Sequence, residues 1–280
     1  MNRISRLFVF SAMLFGLIAS AHGGELKVTT YTAPDSGFSV NSHLIAGDRD
    51  AVLVDAQFLL GEAANAVEFV RASGKNLKYI VVTHGHPDHF FGLQVLRDAF
   101  PNARIIATAD VIADIAAYAP KAIAAWKPVF KDQVPDDFIT PAPANTTSLF
   151  IEGKEIQLIA AGEAEAAHTT VLWIPGSRAL LAGDLVFGNV HLWLAENRPQ
   201  QWLSVLDRLE ALKPVAVYPG HGAAGGTELI VANRKYIRDF IAATAAPATR
   251  EQAIAALKTA HSDYGLPVIV DYSVGGRLAK

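Results

Sequence analysis

The stretch that most constrains this chain is Thr83-His84-Gly85-His86-Pro87-Asp88-His89, which follows directly on the apolar run Tyr79-Ile80-Val81-Val82. A short apolar run bounded by turn residues reads as a buried strand. Three imidazoles and a carboxylate crowded at its end read as a metal-binding loop held by a rigid sheet edge. Six consecutive residues cannot all face one ion. Alternating members of the loop therefore serve two adjacent ions, and Pro87 stiffens the turn. The plain alternative is a histidine-rich surface turn with adventitious metal affinity, and the tight spacing weighs against it.

Composition narrows the chemistry around that loop. With 280 residues, 51% hydrophobic and 18% charged, the chain can bury one large core and does not read as disordered. It has no cysteine, which rules out disulfides, thiolate zinc sites and cysteine nucleophiles. Arg3 and Arg6 precede the apolar run Leu7 to Ala19, and Ala19-Ser20-Ala21 offers a small-x-small cleavage site. Residues 1–21 are therefore expected to be a signal peptide cleaved near Ala21, leaving a periplasmic or secreted domain over 22–280. An uncleaved N-terminal anchor is the weaker alternative, so no stable membrane anchor is expected. Cleavage removes two arginines and no acids, so the formal charge of −3 becomes −5. An acidic chain without a Lys/Arg tract carries no electrostatic footprint for nucleic acid.

Along the chain, Leu26 to Tyr31, Val40 to Ala46 and Ala51 to Asp55 are β-rich runs separated by turn residues and read as a meander. Gly61 to Ser73 reads as a helix stopped by Gly74, Phe90 to Phe100 as a helix closed by Pro101, and Arg104 to Ala107 as a strand. Ala109 to Trp126 is alanine-rich and helical, with a break at Pro120. Residues 128–147 hold four prolines and read as a surface excursion, a candidate flap near the site. A β-rich half resumes with Ser148 to Ile151, Glu155 to Ala160, Thr170 to Ile174 and Ala179 to Ala182. Gln200 to Leu212 is amphipathic, Val215 to Tyr218 is strand, and helices follow from about Thr227 and from Arg250. Thr249 and Gln252 are spaced as a capping box for the last of these. This order predicts an α+β fold with two sheets inside and helices outside, a four-layer αββα sandwich.

The spacing His84-x-His86-x-Asp88-His89 resembles the signature of the metallo-β-lactamase-fold hydrolase superfamily. The likeness extends from the opening meander through Gly183-Asp184 to Pro219-Gly220-His221. The resemblance implies that His84 and His86 hold one metal, that Asp88 and His89 hold a second, that Asp184 bridges both, and that His221 completes the second site. One position departs from the family pattern. Counting back from Asp184 by the family's usual spacing lands on Glu165, where a histidine is expected, and the nearby histidine is His168. Either a shifted loop brings His168 to the metal, or Glu165 takes the ligand position itself. A carboxylate there would add negative charge and favour harder metals. Both remain candidates.

The implied cofactors are two divalent metal ions, Zn2+ first, with Fe or Mn as alternatives. The implied reaction is cleavage of a small ester, lactone, amide or related substrate by a metal-bridging hydroxide, with Asp88 and Asp184 orienting the nucleophile or carrying a proton. A β-lactamase acting on periplasmic β-lactams is one alternative, and a non-catalytic metal-binding or sensing protein is another. His191 and Trp193 follow Asp184 and are candidate substrate contacts. Tyr118 and Trp126 read as helical core, and His22, His43 and His261 as structural or solvated.

Overall fold

The computed structural model describes residues 24–245 and 249–278. The expected signal peptide and His22 lie outside the described residues. Strands β1 (Lys27–Thr32), β2 (Asn41–Ala46) and β3 (Asp50–Val54) form the antiparallel meander. Strands β4 (Asn76–Val81), β5 (Arg104–Ala107) and β6 (Ala142–Pro143) extend it in parallel, giving a six-stranded sheet in sequence order. Parallel neighbours need a crossover, and the helices α1 (Leu60–Ala72), α2 (Leu93–Ala99) and α3 (Ala109–Phe130) supply them. The second sheet runs β7 (Ser148–Ile151), β8 (Lys154–Ala160), β9 (Thr170–Ile174), β10 (Ala179–Gly188) and β11 (Ala216–Gly222). All its pairs are antiparallel except β10 with β11, and the crossover there is α4 (Pro199–Ala211). Helices α5 (Glu228–Ala243), α6 (Arg250–Ala260) and α7 (Val268–Leu278) complete the chain.

Strand alternation produces the layers. Ile45, Val52, Val54 and Val81 meet Leu158, Leu172 and Leu181 in a core between the sheets. Their strand neighbours Leu44, Leu53 and Ile80 point the other way, against Val67, Leu93 and Ile115 of the first three helices. On the far side of the second sheet, Leu180 and Val217 pack with Trp202, Leu206, Ile237 and Phe240. Because both faces of each sheet are covered, the inner strands read as continuous apolar runs. Three cores between four layers make the αββα sandwich that the order of elements predicted.

Three local expectations are corrected. The break at Pro120 does not occur: α3 runs through both Pro120 and Pro128. Its face of Val111, Ile115, Ala119 and Ala122 docks on the core on both sides of Pro120, and that packing offsets the roughly 3 kcal/mol a helical proline costs. Residues 128–147 are not a loose surface excursion. They end α3, bury Val134, pack Phe138 and Ile139 on the first core and add β6 to the sheet edge. The helix expected from Phe90 starts at Leu93, since a 3-10 turn over Pro87–His89 comes first. At α6 the capping box forms, with Gln252 N–H donating to Thr249 Oγ1 and Thr249 N–H donating to Gln252 Oε1.

Candidate metal centre

The histidine loop leaves β4 where the two sheets draw together. Thr170 N–H donates to Thr83 O at 2.8 Å, and Val40 bridges to His221. Asp55, at the end of β3 with φ of 65°, anchors the loop from beneath. Its carboxylate accepts from the Thr83 N–H, from Thr83 Oγ1 and from His89 Nδ1, each at 2.8 Å. Thr83 has thus given its hydroxyl hydrogen to Asp55, so its oxygen accepts from His84 Nδ1 at 3.0 Å. His221 Nδ1 donates to Phe38 O at 2.6 Å. In His84, His89 and His221 the Nδ1 hydrogen is therefore spent, and each ring turns its Nε2 into the site, that of His221 lying 3.1 Å from Asp184 Oδ2. His86 is reversed, with Nδ1 2.9 Å from Glu165 Oε1 and Nε2 3.8 Å from Glu196 Oε1.

Asp184 reaches the centre through an irregular stretch of β10, between two register shifts and after Gly183 at φ of 52°. A Cβ on Gly220 would lie 1.8 Å from Asp184 Oδ1, so the close approach of β11 to this carboxylate needs glycine. The side chains form two donor groups that share Asp184. One is His84, His86, Glu165 and Asp184; the other is Asp88, His89, His221 and Asp184. Within each group one ligand atom per residue lies within 4.8 Å of the others.

The donor chemistry fits divalent cations. His84 Nε2, His89 Nε2, both Glu165 oxygens and Asp184 Oδ1 are buried without a hydrogen-bond partner. Yet His89 Nε2 lies 3.1 Å from Asp184 Oδ1, and His84 Nε2 lies 3.6 Å from Glu165 Oε2 and 3.8 Å from Asp184 Oδ2. Ring nitrogens and carboxylate oxygens facing one another in a dry site call for positive charge between them, as protons or a cation. The titration tendencies say the same. Burial works against charge on His86, His89 and His221, but the surrounding carboxylates outweigh it. They raise the first two well above the usual range and His221 to about 10. Burial likewise opposes ionisation of Asp184 and Asp88, and His221 and His89 still hold both low. Burial, with Asp184 and Asp88 close by, pushes Glu165 up to about 7 against the pull of His86. His84 is pushed down by burial and by charge on His89.

Of the two candidates in the turn before β9, Glu165 enters the cluster and His168 does not. Glu165 is 1% exposed, whereas the His168 side chain is 46% exposed and bonds Asp114 at 2.9 Å. The turn points its carboxylate inward and leaves the histidine on the surface, which corrects the placement of His168 among the ligands. His84, His86, Asp88, His89, Asp184 and His221 all come together in the arrangement the family resemblance implied.

An open cavity lies over the cluster. His191 and Trp193 line it, and so do Tyr118 and Trp126, which the sequence had placed in the core. His191 Nδ1 lies 2.8 Å from Tyr236 Oη, and burial lowers its pKa to about 4, so the ring is neutral near pH 7. His43 is structural, bonded to Thr30 and Pro219 O, and His261 bonds Asp239. Sequence reasoning missed Asp55, although an acid ending an apolar strand is a readable signal. It also missed Leu266, Ile269 and Tyr272, which reach the cavity from α7 and the turn before it and carry no motif.

The family model of the metallo-beta-lactamase superfamily matches residues 35–221. The chain belongs to that superfamily. Within it, the chain is 31% identical to a hydroxyacylglutathione hydrolase of Acidiphilium cryptum over 70% of its own length and 71% of that protein's. It is 28% identical to a metallo-beta-lactamase type 2 of Bacteroides fragilis over 37% of its own length, spanning 43% of that relative. The fold is similar to that of a metallo-beta-lactamase family protein from Thermus thermophilus, with a TM-score of 0.62, 21% identity, and 90% and 91% of the two chains covered. The superfamily is one of metal-dependent hydrolases, and both named relatives fit it. Among the described residues no helix is long and apolar enough to cross a membrane.

Proposed function

We propose that the chain is an exported hydrolase that holds two divalent cations, Zn2+ first, and cleaves a small ester, lactone or amide. The observation that carries this reading is the pair of donor groups joined at Asp184, with five buried polar atoms of the cluster lacking any partner. Export rests on the Arg3/Arg6, Leu7 to Ala19 and Ala21 pattern.

His84, His86 and Glu165 would hold one cation, Asp88, His89 and His221 the other, and Asp184 both. When bound, such a pair supplies Lewis acidity and lowers the pKa of water from 15.7 towards roughly 7. The remaining work falls to side chains. Asp88 is the more exposed of the two shared-cluster aspartates at 18%, lines the cavity and lies 3.2 Å from His221, so it is placed to pass a proton to a departing oxygen. His191 is held from behind by Tyr236, whose Oη lies 2.8 Å from Nδ1. With the Tyr236 hydroxyl donating to Nδ1, Nε2–H of the neutral ring donates to a substrate oxygen in the cavity. Trp193 forms part of the wall beside it.

The test is elemental analysis of the protein purified without added metal, combined with a panel of esters, lactones, amides and β-lactams assayed with and without chelator. Two equivalents per chain and chelator-sensitive turnover are expected. One equivalent or none, with no turnover on any member of the panel, rejects the reading.

A further inference from the structure

The walls of the cavity above the cluster are more uniform than its floor. Phe38, Phe58, Tyr118, Trp126, Trp193 and Tyr272 put six aromatic rings into its lining. Phe38 and Phe58 lie 5.4 Å apart, Phe58 meets Trp126 edge-on at 5.6 Å, and Trp193 leans on Tyr272 at 5.8 Å. Such interlocked rings make a stiff apolar surface. Among the described residues that line the cavity, none is lysine or arginine. The nearby Arg198 is already paired with Glu196 at 3.1 Å, Glu196 faces His86, and Lys121 lines an adjoining pocket, which shares His86 and Tyr118, but not this cavity.

The floor reinforces the walls. With Glu165 in the first donor group, the cluster holds three carboxylates, so three of the four charges brought by two divalent cations are cancelled. A histidine in that place would leave one more positive charge to attract an anion. A carboxylate-bearing substrate entering this cavity would lose its hydration and find no guanidinium or ammonium to replace it. An uncharged substrate loses nothing comparable and covers the aromatic wall.

We infer that the cavity selects an uncharged carboxylic ester or lactone with an apolar aryl or acyl body, and rejects substrates carrying a free carboxylate. The inference rests on the hydrolase reading for its chemistry and on the wall for its selectivity. In the reaction, the oxygen of water joins the acyl carbon, the acyl C–O bond breaks, and one hydrogen of water ends on the departing oxygen. The products are a carboxylic acid and an alcohol. A free carboxylate is common to β-lactams and glutathione thioesters, so both classes fall outside this selection.

The metal-loaded protein is tested with two matched esters, p-nitrophenyl hexanoate and the p-nitrophenyl monoester of adipic acid, which differ by a terminal carboxylate. The neutral ester should have a kcat/KM about 30-fold higher or more, as expected for burying one uncompensated charge. Phenyl ketones of the same length, with and without that carboxylate, cannot be hydrolysed and report binding through quenching of Trp126 and Trp193 fluorescence. The neutral ketone should bind correspondingly tighter. Tyr272→Arg, at a rim position 47% exposed, should shift the ester ratio at least fivefold towards the carboxylated substrate. If neither ester is cleaved but the neutral ketone binds more tightly, the selectivity stands and the hydrolase reading falls. Turnover of both esters within threefold, with the ketones binding equally, leaves the hydrolase reading intact and overturns the inference.

Discussion

The two donor groups have the same chemistry and different support. Each offers two imidazoles and two carboxylates, with Asp184 common to both. In the second group every member is also held by the protein. His89 hangs on Asp55, His221 on the Phe38 carbonyl, and Asp88 lies 3.2 Å from His221. In the first, His84 leans on Thr83 Oγ1, but Glu165 and His86 have only each other, at 2.9 Å, and His86 Nε2 faces Glu196 at 3.8 Å. The lesson is that matching ligand sets need not bind equally. The second group is braced by residues outside it, whereas in the first Glu165 and His86 brace mainly each other.

The largest effect should come from Asp184→Ala, which breaks both groups at once. Turnover should drop by roughly 10³-fold or more, and metal content should fall below one equivalent. Retention of two equivalents would remove Asp184 from its shared position. Next comes the contrast within the turn before β9. Glu165→Ala should weaken first-group affinity by about 100-fold while the second group still fills, and His168→Ala should leave metal content unchanged. Competition with a coloured chelator separates the two, and equal behaviour of the pair would undo the assignment of Glu165.

Asp55→Asn removes direct support from His89 in the second group and reaches the first only indirectly, through Thr83 and His84. It keeps the shape beneath the loop but removes the charge that accepts from His89 and Thr83, so second-group affinity should fall between about 10-fold and 100-fold. If the first group loses as much, the difference in preorganisation is not real. The smallest effect is on pH. His86, His89 and His221 all titrate above the usual imidazole range in the metal-free cluster, so near pH 7 they carry protons that a cation must displace. Uptake should release protons, and apparent affinity should rise with pH from about 6 to 8 in both groups. Calorimetry in two buffers of different ionisation enthalpy measures the release. Uptake without it would mean the imidazoles are already neutral.

Much of this molecule is local and was legible in order along the chain. Strand runs such as Ala51 to Asp55, the helix closed by Gly74, the Thr249–Gln252 cap and the cluster from His84 to His89 depend on spacing, side-chain type and neighbours a few residues away. The layer order followed from the same pattern, because strands buried on both faces must be covered by helices. What the sequence left open were matters of direction and of distance along the chain. Nothing in Glu163 to Thr169 says which side chain turns inward; the pairing of Thr170 with Thr83 across the sheets decides it and selects Glu165 over His168. Pro120 looks like a helix end until the core beneath α3 outweighs it. The aromatic wall joins Phe38, Trp126 and Tyr272, which are too far apart in sequence to form any pattern and meet only because the sheets and α7 bring them to one cavity. Ligand types were written in the chain, whereas the inward turn of Glu165 and the uncharged wall above it came from long-range packing.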